Sequence, residues 1–317
     1  MDLVTFGEGL IRISPPVGEG GAGLAAYVAG SELNVAVAAT RLGISARWIS
    51  CLPDNALGRH LDETARAHGV DTHIVWARDG RVGVYFLPRG TAPRQTGVVY
   101  DRVGSSFSLL TRDSIDWRTA FADARWFHVS GITPALSPGA ADAVAAALGT
   151  AKAAGLVVSY DVNYRARLWD AERAREVQEP LLRHVDVLIV SRDDARTVFG
   201  VVADSVEHAG RSLADRFGLN AVVITDRESA GGACVITSGV ACPATRYEVD
   251  VVERVGTGDA FSAGLITSRL QNTDWPEAVR VAAATAALKL TMPGDFFTGR
   301  RADVEGIMKP RSFVKYG

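Results

Sequence analysis

Cysteine is nearly missing from this chain: Cys51, Cys234 and Cys242 are the only three in 317 residues. They are too few and too scattered for a disulfide scaffold or a four-thiolate zinc site. An excess of charge of one sign is missing too. Thirty-four Lys+Arg face 36 Asp+Glu, for a formal charge of −2, which argues against a nucleic-acid coat or a polybasic membrane binder. No run of about 18 apolar residues occurs, so no membrane span is expected. The N-terminus, Met-Asp-Leu-Val, lacks the basic-then-apolar form of a secretory signal, and a cytoplasmic protein is expected. The chain has no G-x-x-x-x-G-K-[ST] P-loop, no H-E-x-x-H and no C-x-x-C. Its histidines (60, 68, 73, 128, 184, 208) never fall at metal-ligand spacing. Gly18–Gly23 matches the spacing G-x-G-x-x-G, but Pro15 and Pro16 precede it and helical patterning starts only near Ser31. A surface loop is the expected reading.

What is present is a regular alternation. Strands are expected at Leu3–Phe6, Leu10–Ser14 and Ala46–Cys51, with helices at Ser31–Leu42 and Asp54–His68, each stopped by glycine. Residues 72–101 break the rhythm with three β-rich pieces, His73–Trp76, Val82–Leu87 and Gly97–Tyr100. From Arg125 onward, strand precedes helix repeatedly: Arg125–Val129, Pro138–Ala154, Leu156–Tyr160, Ala171–Arg183, Val185–Val190, Asp193–Phe199, Val206–Phe217 and Ala221–Thr225. A hairpin turning at Ser238-Gly239 follows, then helices Asp259–Gln271 and Pro276–Leu290. Continuous apolar strands such as Val187–Val190 suit a parallel sheet covered on both faces. The expectation is one α/β domain over 1–317, with a small β lid drawn from about 10–30 and 72–101.

Three polar features interrupt this pattern. In Val255-Gly-Thr-Gly-Asp-Ala-Phe-Ser-Ala-Gly264, Gly256 and Gly258 precede a helix opening near Asp259. Tight glycine turns and a helix N-terminus aim N–H groups and partial positive charge at one point, an anion hole for phosphate. Asp259 is either a first-turn acid worth about 1 kcal/mol or a base that takes a hydroxyl proton; local spacing leaves both open. Asp161-Val-Asn-Tyr-Arg165 directly follows a strand, where open α/β sheets bind ligands. Ala29-Gly30-Ser-Glu-Leu-Asn34 opens a helix; Gly30 permits close backbone approach and Asn34 a hydrogen bond to a hydroxyl, with helix capping as the plainer reading.

In this order the three features resemble the ribokinase-like (PfkB-type) carbohydrate kinases. Gly30–Asn34 is similar to the family's N-terminal sugar-site signature, and Val255–Gly264 to its C-terminal G-A-G-D signature, with Thr257 in place of alanine. Asp161–Arg165 with Leu168-Trp169, Ser130–Thr133, Val99–Arg102 and Pro293–Asp295 are similar to segments of the 2-keto-3-deoxygluconate kinases. The resemblance implies a layered α/β/α fold with a mostly parallel sheet, and ATP-dependent phosphorylation of a sugar acid at its C6 hydroxyl. Asp259 would be the base, with Gly256, Thr257 and Gly258 as the anion hole. Gly30, Asn34, Tyr85, Tyr100, Arg102, Arg165 and Asp295 would face the sugar, with Arg102 or Arg165 reading its carboxylate. Asn163, Ser191, Thr225, Arg227 and Gly231 would line the nucleotide. Mg²⁺ would bridge phosphates, with Asp194 acting on it through water.

The chain also departs from the family. Arg227 stands where the nucleotide loop carries glycine. Glu253-Arg254 replaces the Asp-Thr pair that ribokinases place around a monovalent cation, which leaves potassium activation open. The lid offers strand edges for a homo-oligomer. Two rivals stay open: a kinase of a neutral sugar such as fructose or ribose, and a non-catalytic sugar- or nucleotide-binding regulator on the same fold.

Overall fold

Short apolar strands alternate with capped helices throughout the computed structural model, which describes residues 1–15, 23–88, 97–226 and 232–309. In chain order these are β1 (Leu3–Phe6), β2 (Leu10–Ser14), β3 (Ala25–Ala29), α1 (Ser31–Arg41), β4 (Ala46–Pro53), α2 (Ala56–Ala67), β5 (Asp71–Ala77), β6 (Gly83–Phe86), β7 (Val99–Asp101), α3 (Trp117–Ala120), β8 (Trp126–Ser130), α4 (Pro138–Ala153) and β9 (Val157–Asp161). Then come α5 (Ala171–Gln178), β10 (Val187–Ser191), α6 (Arg192–Phe199), α7 (Val206–Phe217), β11 (Ala221–Asp226), β12 (Gly232–Thr237), β13 (Val240–Pro243), α8 (Thr257–Leu270), α9 (Trp275–Leu290) and α10 (Arg301–Met308).

Nine strands form one sheet in the order β13-β12-β11-β10-β9-β8-β1-β4-β5. From β11 to β5 every pairing is parallel, and β12 and β13 add an antiparallel edge. β1 and β8 are buried along their whole length, as strands covered on both faces must be. Phe6, Val129, Val158 and Ile224 pack under α4 and α7 on one side. Leu3, Ile189 and Val223 pack under α1, α8 and α9 on the other. A separate four-stranded sheet, β3-β2-β6-β7, branches off after β1 and returns to the body through α1. Among the described residues no helix is long and apolar enough to cross a membrane.

Most helices begin as local chemistry dictates. Asn55, Ser137, Asp170, Ser191, Ser205 and Asp274 each accept a hydrogen bond from a first-turn amide. α1 and α8 differ: their caps are Gly30 and Gly256, with no side chain on the first-turn amides. Both of these open helix ends face the candidate site.

Four expectations change. His73–Trp76, grouped with the lid by its β-rich surroundings, lies in β5 and pairs with β4 at the edge of the large sheet. The strands of the small sheet are therefore 10–14, 25–29, 83–86 and 99–101. The helix expected over Ala171–Arg183 ends at Gln178 and continues as a 3₁₀ turn, Glu179–His184, because Pro180 has no N–H to continue an α-helical ladder. The helix expected from Asp259 starts two residues earlier, at Thr257. α3 and α10 were not expected. Positions 18–22 of the glycine loop lie outside the described residues.

Candidate active site

The site is assembled where β1, β8, β9 and β10 end. α8 brings Asp259 there in its first turn. Ser31 Oγ donates to Asp259 Oδ1 at 2.7 Å and Asn34 Nδ2 donates to Oδ2 at 2.7 Å. Ser31 and Asn34 are three residues apart in the first turn of α1, so they share a face. Asn163, in the left-handed conformation just after β9, donates to Ser31 Oγ at 3.2 Å. Both oxygens of the Asp259 carboxylate are thus held from α1, and Asn163 braces one of the two donors. Burial raises the Asp259 pKa, against the lowering effect of Asn34, Ser31, Arg165 and Lys289.

Gly256 turns the chain into α8 with φ 74°. A Cβ there would lie 2.1 Å from the Asp295 carbonyl oxygen, so the turn requires glycine twice over. Thr257 Oγ1 donates back to the Arg254 carbonyl at 2.8 Å, which turns its side chain onto its own loop. The N–H groups of Gly258 and Asp259 have no backbone or side-chain acceptor among the described residues, as expected for a helix's first turn. A Cβ at Gly258 would meet nothing within 4 Å. At the start of α1, Gly30 has φ 150°, and a Cβ would lie 2.4 Å from the Glu8 carbonyl oxygen.

Beside Asp259 lies Asp161, at the end of β9. Burial, then the charges of Asp259 and Asp194, push its pKa up to about 8, against the pull of Arg165. Arg165 is half-buried, and its guanidinium has no carboxylate within ion-pair distance among the described residues. Its Nη1 donates only to the Tyr164 carbonyl.

The small sheet supplies the opposite wall. Tyr85 and Tyr100 are cross-strand partners with ring centroids 6.0 Å apart. Tyr85 Oη donates to Asp295 Oδ1 at 3.0 Å, and Arg12 Nε to Asp295 Oδ2 at 2.7 Å. Arg12, 0% exposed, also bonds both Glu253 oxygens. Burial pushes the Asp295 pKa up to about 6, against Arg12 and the Tyr85 hydroxyl. Arg102 is buried and paired with Glu8, through Nε at 2.8 Å and also through Nη2.

Residues 1–298 match the family model described as pfkB family carbohydrate kinase. The chain belongs to this family of carbohydrate kinases. The kinase is 39% identical to the 2-dehydro-3-deoxygalactonokinase of Haloferax volcanii, over 97% of this chain and 96% of that protein. It is 32% identical to the 2-dehydro-3-deoxygluconokinase of Thermoproteus tenax, over 93% and 90%. The solved 2-dehydro-3-deoxygluconokinase from Thermotoga maritima superposes with TM-score 0.92 at 36% identity, covering 96% of this chain and 97% of that one. The nine-stranded sheet with its small partner sheet is the ribokinase-like fold.

Of the residues singled out from sequence, the kinase brings Gly30, Asn34, Asn163, Gly256, Thr257, Gly258 and Asp259 to one point, beside Arg165. Tyr85, Tyr100, Arg102 and Asp295 form the neighbouring wall. Ser191 and Thr225 are register partners at the ends of β10 and β11, and the Ser191 hydroxyl caps the Asp194 amide at 3.0 Å. Arg227 and Gly231 lie outside the described residues. No group of three or more potential metal-ligating side chains occurs among the described residues. Ser31, Arg12, Glu8 and Lys289 were missed. The signals were present: a serine one turn from Asn34, a charge inside the apolar strand Leu10-Ile-Arg-Ile, and a lysine in the alanine-rich end of α9.

Proposed function

We propose that this kinase transfers the γ-phosphoryl group of ATP to the C6 hydroxyl of 2-keto-3-deoxygluconate or its galactonate counterpart. The observation that carries this reading is the Asp259 carboxylate, clamped by Ser31 and Asn34 beside the two open amides of α8. In this mechanism the C6 oxygen attacks the γ-phosphorus and its proton passes to Asp259. The bond from the γ-phosphorus to the bridging oxygen breaks, and ADP leaves with the electron pair. Charge on the transferring phosphoryl oxygens falls beside the Gly258 and Asp259 amides, which are already oriented. The bare Gly258 surface lets phosphate come close to the backbone.

Mg²⁺ would be held mainly by waters and by the substrate phosphates, whose charge it would neutralise. Asp194, in the first turn of α6, is the residue assigned to its hydration shell. The nucleotide lies along the ends of β10 and β11, near Asn163, Ser191 and Thr225.

Arg165 is the cation assigned to the sugar carboxylate, since Arg102 is already committed to Glu8. The lid residues Tyr85 and Tyr100, with Asp295, close over the sugar and exclude water, so that phosphate passes to substrate rather than solvent. The sugar-acid assignment also draws on the names of the relatives from Haloferax volcanii, Thermoproteus tenax and Thermotoga maritima.

A panel assay tests the reading. ADP release is followed with ATP, Mg²⁺ and, in turn, the two 2-keto-3-deoxy sugar acids, fructose and ribose, and the product is located by phosphorus NMR. Preference for a sugar acid with phosphate at C6 supports it. A higher kcat/KM for fructose or ribose would replace it with the neutral-sugar kinase. Sugar binding by calorimetry without ADP release would replace it with the regulator.

A further inference from the structure

Lys289 lies near the C-terminus of α9 and is 0% exposed. Two of its three N–H donors are placed: Nζ donates to the carbonyls of Met292 at 3.1 Å and Gly294 at 2.8 Å. Its stem runs behind the anion-hole loop, where a Cβ on Gly256 would lie 3.2 Å from Lys289 Cε. The same loop docks on α9, the Val252 and Glu253 amides donating to the Leu290 carbonyl at 2.8 and 3.2 Å. Glu253 has its own cation, the Arg12 guanidinium, and accepts the Gly294 amide at 2.7 Å.

These groups do not fit a site for a free monovalent cation. The carbonyls that would ligate one hold an ammonium, and the carboxylate that would balance it holds a guanidinium. We propose that the Lys289 ammonium is a built-in cation that fixes the Gly256–Asp259 loop in its working shape, making catalysis independent of potassium. Lys289 is a positioning residue, acting through the loop. Its charge also acts on the Asp259 carboxylate, favouring the ionised form. The inference rests on the kinase reading of that loop.

The test compares the full-length wild type with Lys289→Ala and Lys289→Met in tetramethylammonium buffer, adding K⁺, NH₄⁺ or Li⁺ at constant ionic strength. Wild-type turnover is expected to ignore all three. Lys289→Ala is expected to lose about 10²-fold, mainly in kcat, the scale of a loop misplaced by an ångström. K⁺ or NH₄⁺ should restore part of this loss saturably, by entering between the freed carbonyls. Lys289→Met, which fills the space with an apolar chain, should show the loss without the recovery.

A readout without turnover accompanies these: the thermal midpoint of Lys289→Ala should rise with K⁺ over tetramethylammonium. Potassium activation of the wild type, or full turnover by a folded Lys289 variant, would overturn the proposal. So would a Lys289→Ala protein that gains neither rate nor thermal midpoint from any cation. If the alanine variant does not fold, the wild-type and methionine arms decide. If the wild type phosphorylates none of the sugars, the substrate reading fails, while the thermal arm still judges Lys289.

Discussion

Gly256 and Gly258 stand two residues apart and lack a side chain for different reasons. Gly256 has positive φ and a carbonyl where its Cβ would be. Gly256→Ala should therefore cost about 1–3 kcal/mol of stability, the range for a strained backbone site, and lower the urea midpoint. Gly258 has neither constraint, so Gly258→Ala should keep the urea midpoint while kcat falls, the methyl group standing off the phosphate. Equal effects of the two changes on stability would contradict this division. Asp259→Asn keeps the size of the side chain but removes the proton acceptor. Turnover should fall by about 10²–10⁴-fold, with ATP affinity by calorimetry nearly unchanged; near-normal turnover would remove Asp259 as base. Gly256 and Asp259 were legible in sequence as a motif. The hydroxyl that positions Asp259 was not: Ser31 becomes visible only when α1 and α8 are seen to meet, 228 residues apart in sequence.

At the scale of elements, the small sheet is tied to the body by charge as well as by chain. Arg12 on β2 bonds Asp295 after α9 and Glu253 before α8, and its guanidinium lies 4.2 Å from the Tyr27 ring centroid on β3. A buried cation serving the buried Asp295 and the partly buried Glu253 is costly to remove, because each carboxylate is left without this partner. Arg12→Met should lower stability by about 3–5 kcal/mol, read as a shift of the urea midpoint. A loss below about 1 kcal/mol, the scale of an exposed pair, would show that water reaches this cluster. Local signals located most elements because helix caps and glycine stops are written in adjacent residues. They misplaced β5, since an edge strand of a parallel sheet and a lid strand carry the same β-rich composition. What separates the two is pairing with β4, a contact across α2 that no local pattern encodes. Arg102 carries the same lesson: the resemblance assigns it to the sugar carboxylate, and no local pattern announces that Glu8, 94 residues away, is its ion-pair partner.

Across the whole molecule, the alternation of strands and helices announced a parallel α/β body, but the order of its strands depended on which apolar edges pair, and composition does not encode that. The near-neutral composition hides how unevenly charge is distributed. Asp161, Asp194 and Asp259 gather at one end of the sheet, with burial holding Asp161 protonated to about pH 8. An aspartate in the unfolded chain titrates near about 3.9. Between these values the folded state keeps a proton that the unfolded state has lost, so the unfolded state binds fewer protons and stability falls as pH rises. The contribution of this site is full below about pH 4 and is lost as pH climbs through about 8. Asp161→Asn cannot ionise, and its urea midpoint should therefore decline less than that of the wild type from about pH 5 to about pH 9, a range spanning most of that window. Turnover shares the group. Above about pH 8 an ionised Asp161 adds negative charge beside the Asp259 base and the approaching phosphates, so the wild-type rate should fall there, and the asparagine variant should extend its plateau to higher pH. Parallel pH profiles for the two proteins, in both stability and rate, would show that Asp161 is already ionised at neutral pH.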